Sequence, residues 1–301
     1  MKKSFLILFM ALAASAIAAN AAPGIKSIGE SKYSISVGNV EMIVNAGEGG
    51  KILSYKFDGK EVIETRRINP FSYGSTFWSS PQKEWNWPPV KEYDRDPYEI
   101  EERENSLFLT SPVSPKYQYR FTKEFRIDPE KETIIITYSI KNESDVEKQV
   151  APWEITRVPS EGLVFFDCPV ENIEAAQGEL IKFNSEYGIS WYKFDEAPAN
   201  RKINADGQGW LAYTDNNVLM VKTFDNITPA MPAPGEAEIQ VYVNAGSTYT
   251  ELEAQGAYKE LKPGESLVWS VKWYLAPADA SEPSKALVKQ VKKITSEVDL
   301  F

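Results

Sequence analysis

Between Leu267 and Leu275 the chain alternates Leu267, Trp269, Val271, Trp273 and Leu275 with Val268, Ser270, Lys272 and Tyr274. A period of two is that of a strand with one face turned to a core. Lys262-Pro263-Gly264-Glu265 supplies the turn before it, proline pre-setting φ and glycine taking the position that wants φ > 0. Upstream of that turn Glu251, Glu253 and Gln255 repeat at a spacing of two, which on a strand places all three side chains on one face. Two carboxylates and an amide make a poor core face and a good polar cleft wall.

The same short-strand pattern fills most of the chain. It predicts strands over Tyr33 to Val37, Val40 to Val44, Lys51 to Phe57 and, after a hairpin at Asp58-Gly59, Glu61 to Ile63. Further strands are predicted over Tyr117 to Ile127, Thr133 to Lys141, Val150 to Val158, Gly162 to Phe166, Glu179 to Phe183 and Gly188 to Phe194. Gly209 to Thr214 and Val218 to Phe224 flank an Asp215-Asn216-Asn217 hairpin, and Glu238 to Asn244 follows. Thr65 to Arg103 breaks the pattern with Pro70, Pro81, Pro88, Pro89 and Pro97 and reads as a long loop with little regular structure. One helix is expected near the C-terminus, with Ser281 as its cap, Pro283 in its first turn and Leu287, Val291, Ile294 and Val298 along one side. About fifteen strands and one helix, with no dividing linker, predict an all-β chain. Its architecture would be two large, mostly antiparallel sheets packed face to face and closed by the C-terminal helix.

The first residues change the picture of where the chain acts. Lys2 and Lys3, an apolar run from Phe5 to Ile17 and the small-residue site Ala19-Asn20-Ala21 read as a cleavable export signal over residues 1–21. Residues 22–301 then form a single domain, expected in the periplasm where the host has two membranes. No other segment approaches the run of about 18 apolar residues that a spanning helix needs, so a membrane-spanning protein is not expected. Loss of Lys2 and Lys3 takes the formal net charge from −10 to −12, which disfavours nucleic acid as a partner. The one cysteine, Cys168, rules out an intramolecular disulfide and is expected as a buried thiol. The chain contains no histidine, which removes Ser-His-Asp triads, imidazole-bound zinc and any histidine acid or base.

Within the long loop, Trp78, Trp85 and Trp87 argue against disorder. Flat indoles suit the C–H face of a sugar ring, and Gln82, Glu84 and Asn86 between them can bond hydroxyls. The bland alternative is that the rings plug one end of the sandwich. Arg66 and Arg67 either reach the same cleft or form a surface charge pair. The acidic run Asp94, Asp96, Glu99, Glu101 and Glu102 lacks the ligand spacing of a calcium loop and reads as solvated charge, so neither a metal nor a cofactor is expected. Trp191, Trp210, Trp269 and Trp273 lie in strand patterns and are expected in the core.

Three stretches carry a resemblance. Gly49-Gly50-Lys51-Ile52-Leu53-Ser54-Tyr55 resembles the strand that opens galactose mutarotase-like domains. Phe77-Trp78-Ser79-Ser80-Pro81-Gln82 with Trp87-Pro88-Pro89 resembles a loop over their sugar cleft, and Leu252-Glu253-Ala254-Gln255 resembles the motif that holds their general base. The ordered set is similar to that superfamily over nearly the whole mature chain, and most of all to the uncharacterised bacterial DUF4380-type proteins. The resemblance implies a β-supersandwich and a saccharide ligand. It makes Glu253 the glutamate that takes the proton of the anomeric hydroxyl. The histidine that protonates the ring oxygen has no counterpart, so ordinary aldose 1-epimerase activity is not expected. Ala151-Pro152-Trp153-Glu154-Ile155-Thr156-Arg157 stands near its place, and Glu154 or Arg157 would replace it. The expected site therefore has Glu253 and Glu154 as acid–base groups. Arg66, Trp78, Gln82, Trp85, Trp87, Arg157, Glu251 and Gln255 would surround the sugar. A non-catalytic sugar-binding protein with the same cleft stands beside the altered epimerase, and a protein-interaction module of the cell envelope with a vestigial cleft is the alternative from a different class.

Overall fold

The structure, a computed structural model, describes residues 21–296. The expected export signal, but for Ala21, and Val298 of the expected helix lie outside the described residues.

Two antiparallel sheets face each other. The first has twelve strands. Its central run is Lys51–Phe57, Ser75–Ser80, Lys148–Val158, Thr250–Gln255, Ile239–Val243 and Arg201–Ala205, each bonded to the next. The second has ten strands, with Val218–Thr223, Ser266–Pro277, Thr133–Asn142 and Tyr119–Asp128 at its middle. The expected architecture is thus the one observed. The two hairpins foreseen from composition also form, Asp58, Gly59, Asn216 and Asn217 all having positive φ.

Side chains from the inner faces of both sheets make the core. Phe77 stacks on Tyr138 with ring centroids 4.1 Å apart, and Tyr55 meets Trp273 edge-on at 5.1 Å. Trp191, Trp210, Trp269 and Trp273 are buried, as the strand patterns required, and Cys168 is a buried free thiol. One ion pair crosses this apolar layer. Lys222 Nζ donates to Glu154 Oε1 at 2.8 Å, and Tyr138 Oη and Trp273 Nε1 donate to Glu154 Oε2 at 2.8 and 3.2 Å.

Three expectations need correction. The stretch from Thr65 to Arg103 is not one irregular loop: it contains the strand Ser75–Ser80, a short helix Lys91–Asp94 and the edge strand Glu99–Arg103. All six residues of Ser75–Ser80 are buried, so no alternation betrayed it. No strand forms over Glu179 to Phe183; strands occur on either side, Glu174–Gln177 and Asn184–Glu186. The helix runs Lys285–Ser296 and starts later than expected, because Ser284 Oγ, not Ser281, accepts from the Leu287 N–H.

Candidate functional site

The outer face of the first sheet carries the site. On Lys148–Val158 the side chains of Trp153, Ile155 and Arg157 point outward while Glu154 and Thr156 point to the second sheet, as strand alternation demands. In register beside them, Trp78 pairs with Trp153, which pairs with Gln255. Ile155 opposes Glu253, which opposes Gln240; Arg157 opposes Glu251, which opposes Tyr242, which opposes Lys202. Five strands therefore bring indoles, a guanidinium, two carboxylates, two amides, a phenol and an ammonium onto one surface.

The indoles pack edge to face. Trp78 lies 5.5 Å from both Trp85 and Trp153, and Trp87 closes on Trp78 at 6.3 Å. Trp78 Nε1 donates to Asp94 Oδ1 at 2.9 Å and Trp85 Nε1 to the Ser79 carbonyl at 2.9 Å, so two of the rings are fixed by polar anchors. Trp87 is 62% exposed. Trp78, Trp87 and Trp153 bound a cleft of about 370 Å³, completed by Lys202, Tyr242 and Glu251 and rimmed by Gln82. That volume suits a small polar ligand.

Glu253 lies behind the wall of this cleft, bonded to its lining residues Trp153 and Lys202, and is 1% exposed. Its Oε2 accepts from Trp153 Nε1 and from Lys202 Nζ, both at 2.8 Å, and the Lys202 ammonium also sits 4.8 Å from the Trp153 ring centroid. Its Oε1 is buried without a hydrogen-bond partner among the described residues, as is Oε1 of Gln255 two positions on. Burial pushes the Glu253 carboxyl up to about 7 against the pull of Lys202, and the Glu251 charge adds to the rise. Gln255 is held by Gln240 Oε1 and Glu236 Oε2, at 2.9 and 3.1 Å from its Nε2. Arg157 donates from Nε to Glu251 Oε1 at 2.8 Å and from Nη1 to Thr76 Oγ1 at 3.0 Å.

A second, smaller cavity of about 120 Å³ adjoins the first and shares Trp78 and Trp87 with it. Arg157, Arg95, Asp94 and Phe71 are among its walls.

The structure thus brings Trp78, Gln82, Trp87 and Glu251 to the cleft, Glu253 and Gln255 immediately behind it, and Arg157 to the adjoining cavity. It does not bring Glu154 there. That residue faces the second sheet, fully buried against Lys222, one position out of phase with Trp153 and on the opposite face from Glu253. Trp85 is packed behind Trp78 and lines a separate groove on the far side of the loop. Arg66 lies at the surface, 3.7 Å from Glu48 and over the Tyr73 ring. Sequence reading missed Lys202 and Tyr242. Arg201–Ala205 was not recognised as a strand because its buried residues are Arg201, Ile203 and Ala205, an apolar pattern interrupted by a charge.

No family model matches the chain, and no curated protein sequence matches it. Solved structures do. A candidate aldose 1-epimerase from Escherichia coli K12 superposes with a TM-score of 0.60 at 13% identity, over 84% of this chain and 100% of that one. A galactose mutarotase-like protein from Clostridium acetobutylicum gives 0.56 at 13% over 85% and 99%. Another such protein, from Lactobacillus casei, gives 0.58 at 9% over 84% and 100%. At such identities it is the fold that is shared: the chain has the galactose mutarotase-like sandwich.

Proposed function

We propose that this chain is a carbohydrate-active protein that binds a sugar in the indole-walled cleft and opens its ring with Glu253 as base. The observation that carries the reading is Glu253 itself. It is a buried carboxyl with one oxygen unpartnered, held near neutrality by burial, beside a cleft with aromatic walls and polar edges. A base with that affinity for protons is suited to work near pH 7.

The place of the absent histidine falls to Lys202. Arginine is too basic to give up a proton at neutral pH, Glu154 is on the wrong face, and Lys202 lines the cleft and touches Glu253. In the proposed step Lys202 swings on its flexible stem to the ring oxygen, which frees Glu253 Oε2. Glu253 takes the proton of the anomeric hydroxyl, the C1–O bond of the ring breaks, and its electron pair goes to the ring oxygen as that atom takes a proton from Nζ. The anomeric carbon becomes an aldehyde, and return of both protons after rotation closes the ring on the other face.

Two-dimensional exchange NMR on a panel of aldoses tests this. Anomer exchange above the buffer rate is expected, and Glu253→Gln is expected to slow it by about 10²–10⁴-fold with little change in sugar affinity. Wild-type exchange at the buffer rate for every aldose, with sugar binding intact, would leave a binding protein and no enzyme. Kinship to the DUF4380-type proteins and export to the periplasm belong to the same proposal. The latter predicts a mature N-terminus near Ala22, readable by N-terminal sequencing from the native host.

A further inference from the structure

The smaller cavity is not needed for a single sugar, yet it is built from the same walls. Trp78 and Trp87 line both spaces. At about 120 Å³ it is too small for a second pyranose ring but large enough for a substituent. In a chain of formal net charge −10, two guanidinium groups, Arg95 and Arg157, line this cavity with one carboxylate, Asp94, while Glu251 pairs with Arg157 Nε from the side of the larger cleft. Asp94 is already engaged by Trp78 Nε1. Arg95 Nε lies 3.9 Å from Asp94 Oδ2, too far for a hydrogen bond. Over the mouth stand two aromatic rings in solvent, Trp87 at 62% and Phe71 at 80% exposure. The turn that presents Phe71 is held by Asn69, whose Oδ1 accepts from the N–H groups of Phe71 and Ser72 at 2.9 Å each.

We propose that the ligand is an acidic oligosaccharide of at least two residues. One sugar occupies the larger cleft; the ring of its neighbour lies across Phe71 and Trp87 and sends a uronate carboxylate into the smaller cavity, toward Arg95 and Arg157. Planar guanidinium groups pair with a carboxylate in a way that neutral hydroxyls do not reproduce. This inference rests on the cleft being a sugar site.

Calorimetric titration of the whole protein tests it with four probes: galacturonate, trigalacturonate, galactose and a neutral galactotriose. Trigalacturonate is expected to bind at least about tenfold more tightly than galacturonate and than galactotriose, and to weaken as sodium chloride is raised. Phe71→Ala and Arg95→Ala, both at exposed positions where folding is not at stake, are expected to collapse the trimer-to-monomer affinity ratio toward one. Equal affinity for monomer and trimer overturns the second subsite. An unchanged ratio in both variants does the same, and equal binding of the two trimers overturns its acidic character. In each of those cases the cleft still binds a sugar. Failure of all four probes, and of other neutral and acidic saccharides, overturns the sugar reading itself and this inference with it.

Discussion

Spacing placed Glu251, Glu253 and Gln255 together on one face of a strand, a face too polar for an apolar core, while the choice of Glu253 among them came from the resemblance. Its partner was not legible. Glu154 is the carboxyl in the segment that stands near the place of the family's histidine, but on the strand Lys148–Val158 it alternates with Trp153 and Ile155 and so lies on the opposite face from the cleft. The raised carboxyl has a consequence for stability. Its affinity goes from an ordinary value of 4.5 up to about 7 in the folded chain, so between those pH values the folded state holds a proton that the unfolded state has lost. The group's contribution is complete below pH 4.5 and is lost as pH rises through 7, on the order of 3 kcal/mol. Glu238, pushed up to about 7 by burial, acts in the same direction. Urea unfolding at pH 5 and pH 8 should therefore show a smaller pH-dependent loss in Glu253→Gln than in wild type, by about that amount. An equal loss in both would mean that Glu253 is not held near neutrality. In the proposed reaction, the rate should rise with pH through 7 as Glu253 ionises.

Among the elements, apolar runs were readable as strands whether half-buried or, like Leu163–Phe166 and Val218–Thr223, buried throughout, whereas strands built of serines or charges, such as Ser75–Ser80, Glu99–Arg103 and Arg201–Ala205, were not. Ser75–Ser80 sits in the interior of a sheet with the indole cluster on one side and the core on the other. Its serines and the flanking Pro70 and Pro81 disguised it as loop, and this strand carries Trp78. The segment that follows it holds two tryptophans with opposite duties. Trp85 is wedged against Trp78 and Trp153 with its N–H spent on Ser79, whereas Trp87 stands in solvent at the cleft mouth. Trp85→Ala is expected to destabilise the fold by about 3–5 kcal/mol. Trp87→Ala should leave the melting temperature nearly unchanged and weaken sugar binding several-fold. Thermal melts and titrations on the two variants separate these effects, and a large loss of stability in Trp87→Ala would contradict the assignment.

At the scale of the molecule, the two-sheet architecture and its core tryptophans followed from the strand patterns and the missing linker, while the polar contact across the core could not be read. Lys222 and Glu154 lie in strand patterns that gave no sign of a charge pair crossing the core. Removing one member strands the other. Lys222→Met is expected to cost about 3–5 kcal/mol in urea unfolding, and adding Glu154→Leu to recover part of it, because no charge is then left buried although Tyr138 Oη and Trp273 Nε1 lose their acceptor. A double variant as unstable as the single would show that the pair itself, and not the orphaned charge, sets stability. The pair also acts on states other than the native one. Apolar side chains tolerate many relative positions of two sheets, but a slide or rotation of one sheet over the other would leave an ammonium and a carboxylate each in oil. Misdocked compact forms are thereby raised in energy while the native docking is not. Lys222 and Glu154 work as a check on alignment, so the apolar double variant should regain part of the stability yet bind the dye ANS and broaden its side-chain NMR signals, the marks of a core with more than one arrangement.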